Sequence, residues 1–305
     1  WYGADKNNDY CWNKDCPINF GLVVFFAGLD THRCLLLLVS QQGNTMSGLT
    51  LKGRAKHWAI VMLDSIQTQR IDLAAAFRWA VRLKYHEGVA NHFSVAVNTD
   101  GSQFLINPNQ RHFSLIKASE LLLLDANNPD TMSQPDAPDP TAWGLHGAIH
   151  RFCPHARCVL HTHSMFATVL ACLEDPRLPA IDQNTAQFHN RLVLDKEFDG
   201  MAFADQGERC AAMLGDPDKK VMLMGNHGVL VLGSSVADAF NRLFYFERSA
   251  ETYIRALQTG MPLNILSEVV AEKTAVQWEQ YGDSARRHFE QLKLILDQSE
   301  SDYRL

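Results

Sequence analysis

From residue 71 onward, apolar and polar positions follow two distinct periods. Leu73, Ala76, Phe77, Ala80, Val81 and Lys84 share one stripe at three- and four-residue spacing, which predicts an amphipathic helix over residues 71–85. Residues 93–97 and 103–106 predict strands flanking the turn Asn98-Thr99-Asp100-Gly101, a hairpin signal. A second turn, Asn107-Pro108-Asn109-Gln110, follows, and an apolar run over 121–124 leads into a polar loop broken by Pro129, Pro135, Pro138 and Pro140. Residues 141–152 predict a helix, 157–160 a buried strand, 164–173 a helix and 200–207 an exposed loop with Asp205 and Glu208 as solvated charges. Short apolar strands over 221–224 and 229–232 enclose Gly225-Asn226-His227-Gly228. Residues 235–257 then predict a long helix capped by Ser234 or Ser235. Two further helical stretches, 266–281 and 284–297, are separated by Gly282-Asp283; in the second, Phe289, Leu292 and Leu296 share a face. The tail they form reads either as an interface or lid or as a helix docked on its own subunit. Strands and helices mix without a βαβ rhythm. The expected fold class is α/β, a three-layer α/β/α arrangement with a mostly antiparallel central sheet.

Composition adds a seam to this picture. The 305 residues carry a formal charge of -6, which does not fit a nucleic-acid-binding surface. Residues 1–60 hold six Lys/Arg and four Asp, so the -8 of the remainder lies entirely beyond them. No glutamate precedes Glu87, and the apolar runs 18–29 and 34–39 are interrupted by Asp30-Thr31-His32-Arg33, too short to span a bilayer. The expected organisation is an N-terminal extension over 1–64, poorly ordered or a gene-boundary artefact, a central domain over 65–262 and a helical tail over 263–305. A targeting segment is the other reading of the head, and Met46 and Met62 are internal starts to consider. Seven cysteines without a CxxC pair read as reduced thiols, with Cys153, Cys158 and Cys172 buried, and a cytoplasmic setting follows.

The thirteen histidines change the picture most. His161 and His163 sit two residues apart at the end of an apolar strand, so their rings point to one side. Two imidazoles that close repel when charged, and a divalent metal resolves this by taking a lone pair from each. The plainer reading is two surface histidines at a strand end. His227 lies in a tight turn beside Gly225 and Gly228, where glycine permits close backbone approach; alone it reads as a turn histidine. Together the three fit a His₃ site with an open coordination position.

At these residues the chain resembles the class II aldolase/adducin superfamily. The resemblance is carried by Ala142-Trp143-Gly144-Leu145-His146-Gly147-Ala148-Ile149-His150-Arg151, by His161-Thr162-His163-Ser164 and by Met224-Gly225-Asn226-His227-Gly228. Upstream, Glu87-Gly88-Val89-Ala90-Asn91-His92-Phe93-Ser94 and the segment from Ile106-Asn107-Pro108 to His112-Phe113-Ser114 look like the family's two substrate-side loops. The resemblance implies a metal-dependent α/β/α fold, commonly a homotetramer, acting on small molecules. It also implies that His161, His163 and His227 bind a divalent metal, zinc first among them, with neither nucleic acid nor membrane as partner.

The match fails where the sugar-phosphate aldolases carry Ser-Ser-Glu. Here the stretch is Pro140-Thr141-Ala142, and Ala142 can neither coordinate nor take a proton. The two phosphate loops become Asn91-His92 and Asn109-Gln110, which leaves Asn91, Asn109 and Thr141 as substrate-binding candidates and weakens the case for a phosphate. These departures resemble the adducin-like branch, although no long basic tail accompanies them. Acid–base help must then come from His92, His112, His146 or His189, or from a neighbouring subunit. The expected function is a metal-dependent, aldolase-like lyase stabilising an enediolate or enolate from a small hydroxy-carbonyl or sugar-derived substrate. The competing readings are a non-catalytic, adducin-head-like scaffold module and an epimerase or dehydratase on the same fold.

Overall fold

The computed structural model describes residues 24–25, 35–38, 49–50, 53–198, 200, 204–281 and 283–305. The chain divides into two compact units, 1–64 and 65–305. In the first, strands β1 (Val24–Phe25), β2 (Leu35–Leu38) and β3 (Leu49–Thr50) form an antiparallel sheet in sequence order. The readings of residues 1–60 as extension, artefact or targeting segment fall mostly outside the described residues. Among the described residues, no helix is long and apolar enough to cross a membrane.

The larger unit is organised by a seven-stranded sheet, ordered β6-β5-β4-β7-β10-β9-β8. Its strands are β4 (His92–Ala96), β5 (Gln103–Ile106), β6 (Leu122–Asp125), β7 (Cys158–Thr162), β8 (Leu192–Asp195), β9 (Val221–Met224) and β10 (Gly228–Gly233). Every pairing is antiparallel except β8 with β9. Strand β8 lies outside the expected strands, because its residues are only partly buried and their alternation is weak.

Alternation along the strands sorts side chains onto two faces. Cys158 and Leu160 join Phe93, Val95, Leu223 and Val231 in the larger core. That core also holds Leu73 and Phe77 of helix α1 (Gly53–Arg82), Phe240 and Phe246 of α7 (Val236–Gln258), and Phe289, Leu292 and Leu296 of α9 (Ser284–Ser299). Helices α5 (Gln183–Ala186) and α8 (Glu268–Glu279) pair in a small satellite core through Ala186 and Ala271. Helix α9 therefore docks on its own chain, with the Trp79 Nε1–H donating to the Leu292 carbonyl at 2.9 Å. On the opposite face, Val159, Met222, Leu230 and Leu232 pack with Leu145, Ile149, Cys210 and Leu214. The last two belong to or border helix α6 (Ala204–Met213), which overturns the exposed-loop reading near Gly207. A Cβ on Gly207 would lie 1.9 Å from the Gly144 carbonyl oxygen, so glycine is what lets α6 press against the segment holding His146.

That segment is not the single α-helix expected over 141–152. It runs Pro140–Ala142 (α2), a π turn over Trp143–Gly147, then Ala148–Phe152 (α3). Two other expectations change. Helix α1 begins at Gly53, well before residue 71, and Cys172 is exposed, unlike buried Cys153 and Cys158.

Candidate metal centre and its histidine surround

The centre is built at the ends of β4, β7 and β10. Register sets His92 beside His161 on neighbouring strands, so both rings leave the sheet on the face covered by α3 and α6. His163 follows two residues beyond His161, just past the strand end. His227 occupies the β9–β10 turn, where the Gly225 N–H donates to the Asp195 carbonyl at 2.7 Å and the Asn226 N–H to the Ala171 carbonyl at 3.0 Å. Gly228 completes the approach, since a Cβ there would lie 2.5 Å from the Thr162 carbonyl oxygen and 2.9 Å from His163 Cδ2.

One nitrogen from each of His161, His163 and His227 lies within 4.8 Å of the others. The protons in this group can be placed. His161 Nδ1 faces the Val229 carbonyl oxygen at 3.1 Å, and His163 Nδ1 meets a Glu87 carboxylate oxygen. Both partners only accept, so both Nδ1 atoms carry hydrogen and both Nε2 atoms are bare in the neutral rings. Those Nε2 atoms face each other at 3.1 Å, lone pair to lone pair. Burial and the neighbouring imidazoles hold the His161 pKa well below the ordinary value; burial, then His163, bring His227 to about 4. Protonation of His161 or His227 is therefore a poor remedy for the repulsion. A cation between the rings is a good one, because ligand atoms about 2.0–2.1 Å from a tetrahedral zinc are themselves about 3.3 Å apart. His227 Nδ1, buried without a partner, is a further free donor atom. The residues fit the group that the resemblance implies.

Around the three lies a second histidine set. His92 stacks on His161 with centroids 4.9 Å apart, and its Nδ1 is 2.8 Å from His146 Nε2. His146 Nδ1 is 2.5 Å from Ser94 Oγ, which is also 2.7 Å from His150 Nε2. Burial holds the pKa of His92 and of His146 well below the ordinary value and brings that of His150 to about 3. His112 has other partners. Its Nδ1 accepts the Ser114 N–H at 3.2 Å and its Nε2 faces His86 Nε2 at 3.3 Å. His189 pairs with Glu268.

The substrate-side candidates are already engaged in the fold. Asn91 is buried, and its Oδ1 accepts the Glu87 N–H at 2.7 Å, shaping the loop that presents Glu87. Thr141 donates its hydroxyl to Asp139 at the α2 N-cap. Asn109 is exposed in its turn. Ala142 is buried against Phe104, Ile106 and Ala126.

Two carboxylates escaped the sequence reading. Glu87 is 76 residues from His163 along the chain. Glu247, on α7, is 5% exposed and accepts from the Ser164 hydroxyl and from the backbone N–H groups of Phe166 and Ala167, at 2.7, 2.7 and 3.0 Å. It thereby caps helix α4 (Met165–Ala171) directly after His163. Burial raises its pKa against those bonds. The only signal for Glu247 in the sequence is an acid inside an otherwise apolar helical stripe.

Comparison with known proteins agrees with this architecture. The model of the class II aldolase and adducin N-terminal domain matches residues 71–254. A Pseudomonas aeruginosa protein assigned by name only to the aldolase class 2 group is 30% identical over 64% of this chain and 73% of its own. The 5-methylthioribulose-1-phosphate/5-deoxyribulose-1-phosphate aldolase of Rhodospirillum rubrum is 28% identical over 71% of this chain and 94% of its own. Adducin-related protein 1 of Caenorhabditis elegans is 27% identical over 81% of this chain but 33% of its own. The crystal structure of an aldolase II superfamily protein from Pseudomonas syringae is 29% identical, covers 79% of this chain and 96% of that one, and superposes with a TM-score of 0.69. The chain belongs to the class II aldolase and adducin N-terminal domain family.

Proposed function

We propose that this protein is a metal-dependent lyase that cleaves a carbon–carbon bond in a small hydroxy-carbonyl or sugar-derived compound, by an aldol-type or decarboxylating reaction. The observation that carries the reading is the pair of bare Nε2 atoms on His161 and His163 facing each other at 3.1 Å beside His227. His161, His163 and His227 would hold the ion, with zinc the best match to three neutral imidazoles. Bound there, a divalent ion supplies Lewis-acid polarisation of a carbonyl next to the breaking bond. The chain's own groups do the rest. The Val229 carbonyl and Glu87 fix the ring orientation of His161 and His163. Glu247 fixes the turn after His163, and His92, stacked on His161, is the side chain to which we assign the part that an acid at position 142 would play.

Thr141 and Asn91 are engaged within the fold and Asn109 is exposed in its turn, which favours substrates without a phosphate. A homotetramer, a cytoplasmic setting and the division at residues 64 and 262 remain parts of this proposal. The Rhodospirillum relative, matched over nearly its whole length, supports the catalytic reading. The second reading is an adducin-head-like scaffold, favoured by the sealed apolar surroundings of Ala142. Dialysis of the purified chain against zinc, followed by elemental analysis, separates the two. The lyase requires about one ion per chain and carbon–carbon cleavage of at least one member of a panel of hydroxy-ketones, hydroxy-acids and sugar phosphates. A chain that takes up no ion sinks it.

A further inference from the structure

His92, His146, Ser94 and His150 form one chain of side-chain hydrogen bonds, no member more than 4% exposed. A hydroxyl has a single proton, so Ser94 donates to one of its two imidazoles and accepts from the other. With all three rings neutral, only two arrangements of the protons satisfy every link. In the first, each proton points from His92 toward His150. Ser94 then donates to His150 Nε2, and His150 Nδ1 carries an N–H. In the second, each proton points the other way. His150 Nε2–H donates to Ser94, Ser94 donates to His146 Nδ1, and His146 Nε2–H donates to His92 Nδ1. His150 Nδ1 is then a bare lone pair, and His92 carries its proton on Nε2.

The far end of the chain decides between them. His150 Nδ1 is buried and has no hydrogen-bond partner. Its ring lies flat on Phe104, with centroids 4.4 Å apart and planes 18° from parallel, and the nearby Arg157 charge favours a lone pair over a proton on that nitrogen. A buried orphan donor is the rarer and costlier defect, whereas an under-used acceptor is tolerated more often. We infer that the chain is polarised from His150 toward His92, so that Ser94 and His150 are positioning residues that make His92 an Nε2–H proton donor and bar it from the metal's ligand set.

Both nitrogens of His92 are then accounted for. Nδ1 accepts from His146, and Nε2 bears hydrogen. This explains how a ring stacked on His161 stays out of the cluster formed by His161, His163 and His227. It also gives the site a neutral donor for oxygen charge that develops on a substrate, in place of the carboxyl missing at position 142. That last use rests on the lyase reading; the proton arrangement itself does not.

The test is a long-range ¹H–¹⁵N spectrum of the full chain labelled at histidine, recorded metal-free and with one equivalent of zinc. The expected pattern is a pyridine-type nitrogen at His92 Nδ1 and at His146 Nδ1, with pyrrole-type nitrogens at His92, His146 and His150 Nε2, in both states. Ser94→Ala cuts the chain, so the two His92 nitrogen shifts should move toward each other as its tautomers mix, and Ser94→Thr should restore the split. A pyrrole-type Nδ1 on wild-type His92, or a Ser94→Ala spectrum unchanged at His92, overturns the inference. The wild-type spectrum decides even where a variant fails to fold. Reversed protons with normal zinc uptake reject the polarity alone, while the expected protons without zinc uptake reject the lyase alone.

Discussion

His161 and His163 leave two ring nitrogens facing each other at 3.1 Å with no proton between them, whereas His92 bonds directly to His146, and the Ser94 hydroxyl joins His146 to His150. Both groups are rich in imidazole, yet the second matches each inner nitrogen to a hydrogen-bond partner and the first does not. The difference lies in what the outer nitrogens meet. The outer nitrogens of His161 and His163 meet pure acceptors, which push both protons outward and both lone pairs inward. The His146 and His150 rings meet a hydroxyl, which can donate and accept. A cluster whose inner lone pairs are unmatched has been shaped for a cation from outside, and one without such lone pairs has been shaped for rigidity.

The most severe way to break this comparison is His161→Ala. It removes one facing lone pair and leaves the surrounding chain intact, so zinc uptake should fall by at least ~100-fold while the circular dichroism spectrum is kept. Stoichiometric zinc on the variant would show that the facing nitrogens are not the site. Next in size is Ala142→Glu, which puts back the carboxyl found in the sugar-phosphate aldolases. Position 142 is 2% exposed, and its side chain packs among Phe104, Ile106 and Ala126. The carboxyl should therefore destabilise the fold by ~3–5 kcal/mol in urea denaturation instead of adding activity. An unchanged midpoint would mean that this pocket opens toward the metal centre.

These two experiments also mark where sequence reading succeeds. Strands β4, β5, β7, β9 and β10 are visible in the sequence because each is a short apolar run bounded by turn residues, and His161, His163 and His227 because the motifs around them resemble those of a family. Strand β8 is parallel to β9, and its Leu192, Val193 and Leu194 are apolar and partly buried alike, so no period-two alternation marks it. The π turn over Trp143–Gly147 lies at the close crossing of Gly144 and Gly207, 63 positions apart, a contact that the local sequence does not announce. Glu87 and Glu247 are missed because an acid announces its partner only once the chain has folded, and theirs lie 76 and 80–83 residues away.

A gentler probe is Glu87→Gln. The carboxylate touches His163 Nδ1 from an exposed loop, so its field is partly screened by water. Loss of the charge leaves an amide oxygen that still accepts the Nδ1 proton. Zinc affinity should weaken by about tenfold, at the lower end for outer partners of a ligating histidine, without loss of the ion altogether. Equilibrium titration against a competing chelator measures this. No change would assign the ring's orientation to Gly228 and the Glu247-capped turn instead.

The smallest effect separates the self-satisfied group from the metal centre by its response to acid. The His150 pKa is about 3 in the fold, brought down first by burial, against about 6.5 in the unfolded chain. A depressed pKa means that the unfolded chain binds the proton first. The stabilisation from a neutral His150 is therefore complete above pH 6.5 and is lost progressively as pH falls from 6.5 toward 3. Between pH 6.5 and 5.5 the loss is roughly 1 kcal/mol for this one residue. His150→Gln keeps an N–H for the Ser94 hydroxyl but cannot titrate. Measured by urea denaturation with chelator present, so that metal release does not contribute, the variant should lose about 1 kcal/mol less than wild type over that interval. Equal slopes would place His150 in contact with water, and the sealed chain from His92 to His150 would have to be abandoned.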